Sequence, residues 1–263
     1  MKDIRAGHQV FWTQAGQGET PAVLIHCSLA HHGVWAGVMK ALSDTHQMVA
    51  FDMPGHGRSG DWTGPGDYQT ETTRIAASFC DGPVHLIGHS FGGTVALRLA
   101  CEQPELVQRL SLIEPVFFAA ARAAGDPAYD LHVQRFQPFV QAMDTGDHDT
   151  AARVFMDMWG ARMPWDAMPE KQRQYIIDRV PLIPLQGTAI EDDTAGLLTS
   201  GVIEALPMPV DLIDGGQSQP VVGAILRALA QRIPHARRTT IRDAGHMAPI
   251  THPKQIAQIL RDL

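Results

Sequence analysis

Val84-His85-Leu86-Ile87-Gly88-His89-Ser90-Phe91-Gly92-Gly93-Thr94-Val95-Ala96-Leu97-Arg98-Leu99 is the stretch that decides the fold. The apolar run Val84 to Ile87 reads as a buried strand and Thr94 to Leu99 as a helix, so the residues between them form a sharp turn. Ser90 sits at the centre of that turn in a G-x-S-x-G pattern. Small neighbours are needed there, because the backbone reverses while the serine oxygen projects from the sheet. A helix beginning at the serine also aims free amides at any negative oxygen formed beside it. The bare string is common and would equally suit a plain strand-to-helix turn; its strand-turn-helix context makes Ser90 a nucleophile candidate.

Working outward, short β-branched runs alternate with helix-like stretches, the pattern of a largely parallel sheet covered on both faces. Strands are expected at 9–14, 22–27, 47–51, 84–88, 109–113, 210–214 and 238–242. The last helix follows Pro253 and carries Ile256, Ile259, Leu260 and Leu263 as a core-facing stripe. After Glu114 the alternation stops. Helices are expected at Thr150 to Trp159, with Asp149 as N-cap, and at Glu170 to Val180. An all-helical insertion in such a chain lies over the strand ends, where open α/β sheets bind ligands. The division expected is a core of 1–114 and 206–263 with a helical cap of 115–205.

Composition narrows the function classes. The chain has 263 residues, 44% hydrophobic and 19% charged, with a formal net charge of -7, which suits a globular domain and no disordered tail. No run of Lys and Arg could follow a phosphate backbone, so nucleic acid is not an expected partner. The first ten residues hold no apolar stretch of signal-peptide length. No later segment nears the roughly 18 apolar residues of a membrane span, so the default expectation is a cytoplasmic protein without a membrane partner. Cys27, Cys80 and Cys101 show no CxxC spacing and read as reduced, mostly buried thiols. The 13 histidines include the pair His31-His32, but no ligand spacing such as HExxH accompanies it, and neither a metal nor another cofactor is expected. A small-molecule substrate is the expected partner; monomer and homodimer both stay open.

Two further stretches extend the pattern around Ser90. Asp52-Met53-Pro54-Gly55-His56-Gly57-Arg58-Ser59 is a D-x-x-G-x-G-x-S loop, and Ala244-Gly245-His246 follows the last expected strand. In this order and context the chain resembles the α/β-hydrolase superfamily, particularly its capped esterases and lactonases, over nearly its whole length. The resemblance implies a mostly parallel eight-stranded sheet flanked by helices, a helical cap after the sixth strand, and a hydrolytic triad with His246 as the base for Ser90. His252 and His235 are weaker rivals with no motif around them.

A histidine base needs a carboxylate to hold its tautomer. Similar enzymes often place this acid in a GxxD pattern after the strand beyond the cap, where the present sequence reads Gly215-Gly216-Gln217-Ser218. Others place it at the end of the strand before the cap, where Leu110-Ser111-Leu112-Ile113-Glu114-Pro115 stands. A lone glutamate closing a buried strand is costly unless paired, so Glu114 is the expected acid, with Asp214 and Asp211 as fallbacks and Asp243 an ordinary charge. The oxyanion donors expected are the backbone amides of Phe91 and of Ser28, in His26-Cys27-Ser28, where cysteine replaces the glycine of the family pattern. Met156, Met158, Trp159, Met163, Trp165 and Met168 form either an apolar ceiling over the nucleophile or the cap's own core; Met156, Trp159 and Trp165 are the candidates for substrate contact. Arg153, Arg162 and Arg173 could bind one carboxylate.

The chemistry expected is cleavage of a carboxylic ester or lactone of a small, mostly apolar substrate, the carboxylesterase class. A carbon–carbon bond hydrolase, a lyase or a cofactor-free haloperoxidase would use the same residues. Dehalogenase and epoxide hydrolase are disfavoured, since similar enzymes of those types carry aspartate where Ser90 stands. A non-catalytic ligand receptor with the same fold is the alternative to which Ser218 and Cys27 point.

Overall fold

The computed structural model describes residues 1–64, 66–161 and 163–261. Arg162 and Leu263, both named above, lie outside the described residues.

The strands are β1 (Lys2–Arg5), β2 (His8–Ala15), β3 (Thr20–Ile25), β4 (His46–Phe51), β5 (Val84–His89), β6 (Val107–Ile113), β7 (Val210–Gly215) and β8 (Arg237–Ile241). They form one eight-stranded sheet in the order β1-β2-β4-β3-β5-β6-β7-β8. β2 is antiparallel to both neighbours, and every pair from β4 to β8 is parallel. The sequence reading lacks β1, because its four residues lie exposed or half-buried at the sheet edge and show no apolar alternation.

The helices are α1 (Ala36–Leu42), α2 (Tyr68–Ala77), α3 (Phe91–Glu102), α4 (Phe118–Ala123), α5 (Pro127–Asp144), α6 (His148–Trp159), α7 (Glu170–Ile177), α8 (Pro184–Asp192), α9 (Pro220–Arg232), α10 (Ala248–Thr251) and α11 (Pro253–Arg261). Because strand side chains alternate between faces, β3 sends Val23 and Ile25 into a layer with Ile75 of α2, Val95 and Leu99 of α3 and Ile225 of α9. It sends Ala22 and Leu24 into the opposite layer with Val38 and Leu42 of α1 and Ile256 and Leu260 of α11. Central parallel strands buried on both faces are apolar throughout for this reason.

Between β6 and β7 the regular elements among the described residues are all helical. α6 starts earlier than its expected N-cap at Asp149: Asp147 is the cap, accepting from Thr150 N at 3.0 Å, so Asp149 falls in the first turn. α7 ends at Ile177, and Val180 opens a separate 3₁₀ turn. Phe139, Ala151, Trp165, Met168, Ile176 and Val180 form a cluster of their own, whereas Val116 to Ala121, Leu197, Ile203 and Leu206 pack with the sheet's layer. No described helix is long and apolar enough to cross a membrane.

Beneath the sheet a polar cluster is buried with its hydrogen bonds satisfied. His85 Nε2 lies 2.8 Å from Ser111 Oγ, and Ser111 donates to Asp211 Oδ2 at 3.2 Å. Arg109 and Arg237 clasp the same carboxylate at 2.8 and 3.0 Å. At the opposite ends of the strands two further buried histidines staple loops. Met53 N donates to His26 Nε2 at 3.0 Å while His26 Nδ1 meets Cys27 O at 2.7 Å. Leu29 N donates to His56 Nε2 at 3.1 Å. Each ring must accept through Nε2 and so is neutral. Burial lowers their pKa values from 6.5 to about 4 for His26 and about 3 for His56.

Acid should therefore unfold this protein readily. Unfolded histidines take up protons near pH 6.5, while folded His26 and His56 wait until about 4 and about 3. The unfolded state thus binds more protons in between, and stability present above pH 6.5 is lost as the pH falls through that window. Each of the two should cost on the order of 2 kcal/mol by about pH 5. Urea unfolding at about pH 7.5 and about pH 5 measures this; equal stabilities would contradict the neutral-histidine assignment.

Candidate active site

Three strand ends build the site. Ser90 follows β5 with φ 57° and ψ -120°, a conformation most side chains avoid. Its amide donates to Ile113 O at 2.9 Å, which anchors the turn to β6. The flanking glycines are required by close approach: a Cβ at Gly88 would lie 2.2 Å from Gly92 O, and one at Gly92 would lie 2.3 Å from Ile25 O. α3 is thereby pressed against the end of β3.

His246 lies in the loop between β8 and α10. Its Nε2 is 2.9 Å from Ser90 Oγ and its Nδ1 is 3.0 Å from Glu114 Oε2. With Nδ1–H donating to the carboxylate, Nε2 is left to accept the serine proton. Glu114 is fully buried. Its other oxygen accepts from Gly215 N at 2.5 Å and from Ser218 Oγ at 2.8 Å. The serine that stands where the family pattern carries aspartate is thus a donor to the glutamate. Asp214 turns away, bound to Arg238 at 2.7 Å and to Thr240, and Asp211 belongs to the arginine cluster beneath the sheet. His252 and His235 are engaged elsewhere, with Thr251 Oγ1 at 2.8 Å and Met208 O at 2.9 Å.

Phe91 N and Ser28 N are not used in hydrogen bonds among the described residues. The loop that carries Ser28 accommodates Cys27 as a packed side chain, its thiol pushed up to about 12 by burial, which suits a structural cysteine and no nucleophile. The next residue, Leu29, takes φ 58°. Ser28 Oγ donates to Gln186 Oε1 on α8 at 2.6 Å. Tyr175 on α7 accepts from Gly57 N at 2.8 Å and donates to Ala30 O at 2.9 Å. His89 Nε2 donates to His246 O at 2.8 Å and steadies the histidine loop; burial holds His89 well below its ordinary pKa. Gln186, Tyr175 and His89 carry no sequence signal for these roles, since each acts through a contact distant in the chain.

Two cavities meet at Ser90. The larger, about 670 Å³, is lined by Ser28, Ser90, Met156, Trp159, Tyr175 and His246 among others. The second, about 330 Å³, is lined by Phe118, Phe136, Phe139, Phe155 and Ile190 and shares Ser28, Ser90 and Trp159 with the first. Trp159 stands edge-on to His246 with ring centroids 4.8 Å apart. Trp165 lies in the core of the helical segment and lines neither cavity. Arg153 is paired with Asp166 at 3.1 Å, away from both; Arg173 also lines neither.

His31, His32 and Asp52 bring their ligand atoms within 4.8 Å of one another. Asp52, however, already accepts from His32 N at 2.6 Å, His32 Nδ1 at 2.8 Å and Arg58 N at 2.9 Å. These donors account for the buried carboxylate as a tie between two loops.

Comparison with known proteins identifies the fold family. The model of the alpha/beta hydrolase fold family matches residues 20–253. A pimeloyl-[acyl-carrier protein] methyl ester esterase from Methylococcus capsulatus is 28% identical over 96% of this chain and 97% of its own. An enzyme of the same description from Nitrosomonas europaea is 40% identical over 91 residues, 35% of each chain. An alpha/beta hydrolase from Sphaerobacter thermophilus superposes with a TM-score of 0.75 at 21% identity, covering 99% of this chain and 98% of that one.

Labelling by a fluorophosphonate needs an activated serine and no particular substrate, so it tests the hydrogen-bonded chain directly. Glu114→Gln should slow labelling at least about a hundredfold, since loss of the acid's charge costs up to about 10⁴-fold in other triads. Asp214→Asn and Asp211→Asn should change it far less. A crippled Asp214→Asn beside an active Glu114→Gln would move the acid to β7.

Proposed function

The chain belongs to the alpha/beta hydrolase fold family, and from that membership we propose that it is a serine hydrolase cleaving carboxylic esters or lactones of small, mostly apolar substrates. The observation that carries the proposal is the continuous chain from Ser90 Oγ through His246 to buried Glu114, at 2.9 and 3.0 Å, beneath a cavity. The relatives named as esterases support the same bond type.

In this mechanism Ser90 Oγ attacks the carbonyl carbon as His246 Nε2 takes its proton. Glu114 stabilises the imidazolium so formed. The amides of Phe91 and Ser28 bind the oxyanion. Collapse of the tetrahedral intermediate breaks the C–O bond, and His246 returns the proton to the departing alcohol. Water then repeats the sequence on the acyl-enzyme, with His246 again as base, and frees the acid and Ser90.

Residues 115–205 serve as a cap that shapes the pocket. We assign the second, aromatic-lined cavity to the acyl chain and the larger, more polar one to the alcohol side; their junction at Ser90, Phe155 and Trp159 supports this. Met156 faces the alcohol side, and Trp159 serves both.

Two variants test the proposal against p-nitrophenyl esters of graded acyl length. Ser90→Ala should abolish turnover while keeping the wild-type melting temperature; retained turnover would remove Ser90 from the mechanism. Gly187 on α8 lines the acyl cavity, and a Cβ there meets nothing within 4 Å. Gly187→Leu should therefore fold normally and shift the preferred acyl chain to shorter lengths. An unchanged preference would place the acyl chain elsewhere.

A further inference from the structure

The acyl cavity is lined mostly by apolar side chains, and among its polar lining residues His132 of α5 and Glu191 of α8 approach each other across a gap. His132 of α5 is only 4% exposed and is set among aromatic rings. It stacks on Phe118 with centroids 4.2 Å apart and on Phe136 at 5.5 Å, and meets Trp159 edge-on at 5.8 Å. Burial lowers its pKa to about 4, so the ring is neutral. Its Nδ1 is buried without a hydrogen-bond partner. Its Nε2 points toward Glu191 Oε1 across 4.0 Å, too far for a hydrogen bond. Glu191 Oε2 is occupied by the Tyr129 hydroxyl at 3.0 Å. Arg122 acts on Glu191 only through its charge and is paired with Asp192 at 3.5 Å. A buried imidazole with no hydrogen bond is costly, and so is a half-buried carboxylate oxygen without one.

A single oxygen atom placed about 2.8 Å from each atom spans a gap of this width. With the ring proton on Nε2, that oxygen accepts from His132 and donates to Glu191, which a hydroxyl does. A carbonyl could satisfy only the histidine, an alkyl end neither, and a carboxylate would confront Glu191. We infer that the acyl cavity recognises a chain that carries a hydroxyl group several carbons from the scissile carbonyl, bound between His132 and Glu191. The assignment rests on the ester-hydrolase reading only for which end of the chain lies at Ser90.

Binding and turnover, measured separately, test it. Methyl esters of ω-hydroxy, unsubstituted and ω-carboxy fatty acids of graded length are titrated calorimetrically into Ser90→Ala, whose fold is checked by its melt. The wild-type protein is then assayed for hydrolysis of the same esters. At the matching length the ω-hydroxy ester should bind about fivefold or more tightly than its alkyl counterpart, and the ω-carboxy ester most weakly. His132→Phe, which keeps the ring stack, and Glu191→Leu should each erase that preference in the Ser90→Ala background. Glu191→Gln, which can still accept from Tyr129, should strengthen binding of the ω-carboxy ester. Equal binding of hydroxy and alkyl esters at every length, as expected if water fills the gap, would overturn the inference, as would a preference that survives His132→Phe. Hydroxy-selective binding without wild-type turnover of any ester would support the cavity assignment and overturn the hydrolase reading instead.

Discussion

A carboxylate with no exposed surface sets the conditions for everything around Glu114. Desolvating such a charge costs several kcal/mol unless well-placed partners replace its water. Here the replacements come from distant parts of the chain: the Gly215 amide at the end of β7, the Ser218 hydroxyl beyond it and the His246 imidazole after β8. The parallel register aligns them. Glu114 N still bonds Ile213 O at 2.8 Å, so the ladder between β6 and β7 runs up to the residue that bears the charge. A one-residue slip in that ladder would move the side chain to the other face of the sheet and leave it unpaired.

The same strand ends store backbone strain. Leu29, Ser90 and Glu114, which follow β3, β5 and β6, take φ values of 58°, 57° and 52°, where side chains cost about 1–3 kcal/mol each. The apolar layers on both faces of the sheet bear this cost, and the helical segment shares in it. Tyr175 on α7 joins Ala30 to Gly57 through one phenol, and Gln186 on α8 holds Ser28. The oxyanion loop in the proposed mechanism is therefore bolted to the helices that line the substrate cavities. A displacement of α7 or α8 by a ligand would be felt at the Ser28 amide through two hydrogen bonds.

What could be read from the sequence follows from how local its physical cause is. The turn around Ser90 is legible because close backbone approach demands glycine at 88 and 92, and the central strands are legible because burial on both faces makes them apolar end to end. β1 escapes notice, since an exposed edge strand needs no such pattern. Asp147 and Asp149 are equally good caps on paper, and only the turn geometry chooses between them. Trp159 and Trp165 illustrate the limit: both are large, apolar and close in the chain, yet one stands over His246 and the other fills the helices' own core. Composition cannot separate them, because the difference lies in which face of the segment packs on what.

Ser218 teaches the opposite lesson, that a departure from a pattern can be half of a compensated pair. Ser218 Oγ lies 2.8 Å from Glu114 Oε1. An aspartate at 218 in that position would set two carboxylates against each other in a buried site, and one of them would have to hold a proton. A hydroxyl at the same point donates to the carboxylate and stabilises its charged form. Glutamate at 114 and serine at 218 thus belong together. β6 and β7 are neighbours whose ends converge on His246, so a carboxylate from either strand can serve the imidazole, while charge on both would weaken it. Seen this way, the missing aspartate is what the buried Glu114 carboxyl group requires of the adjoining loop.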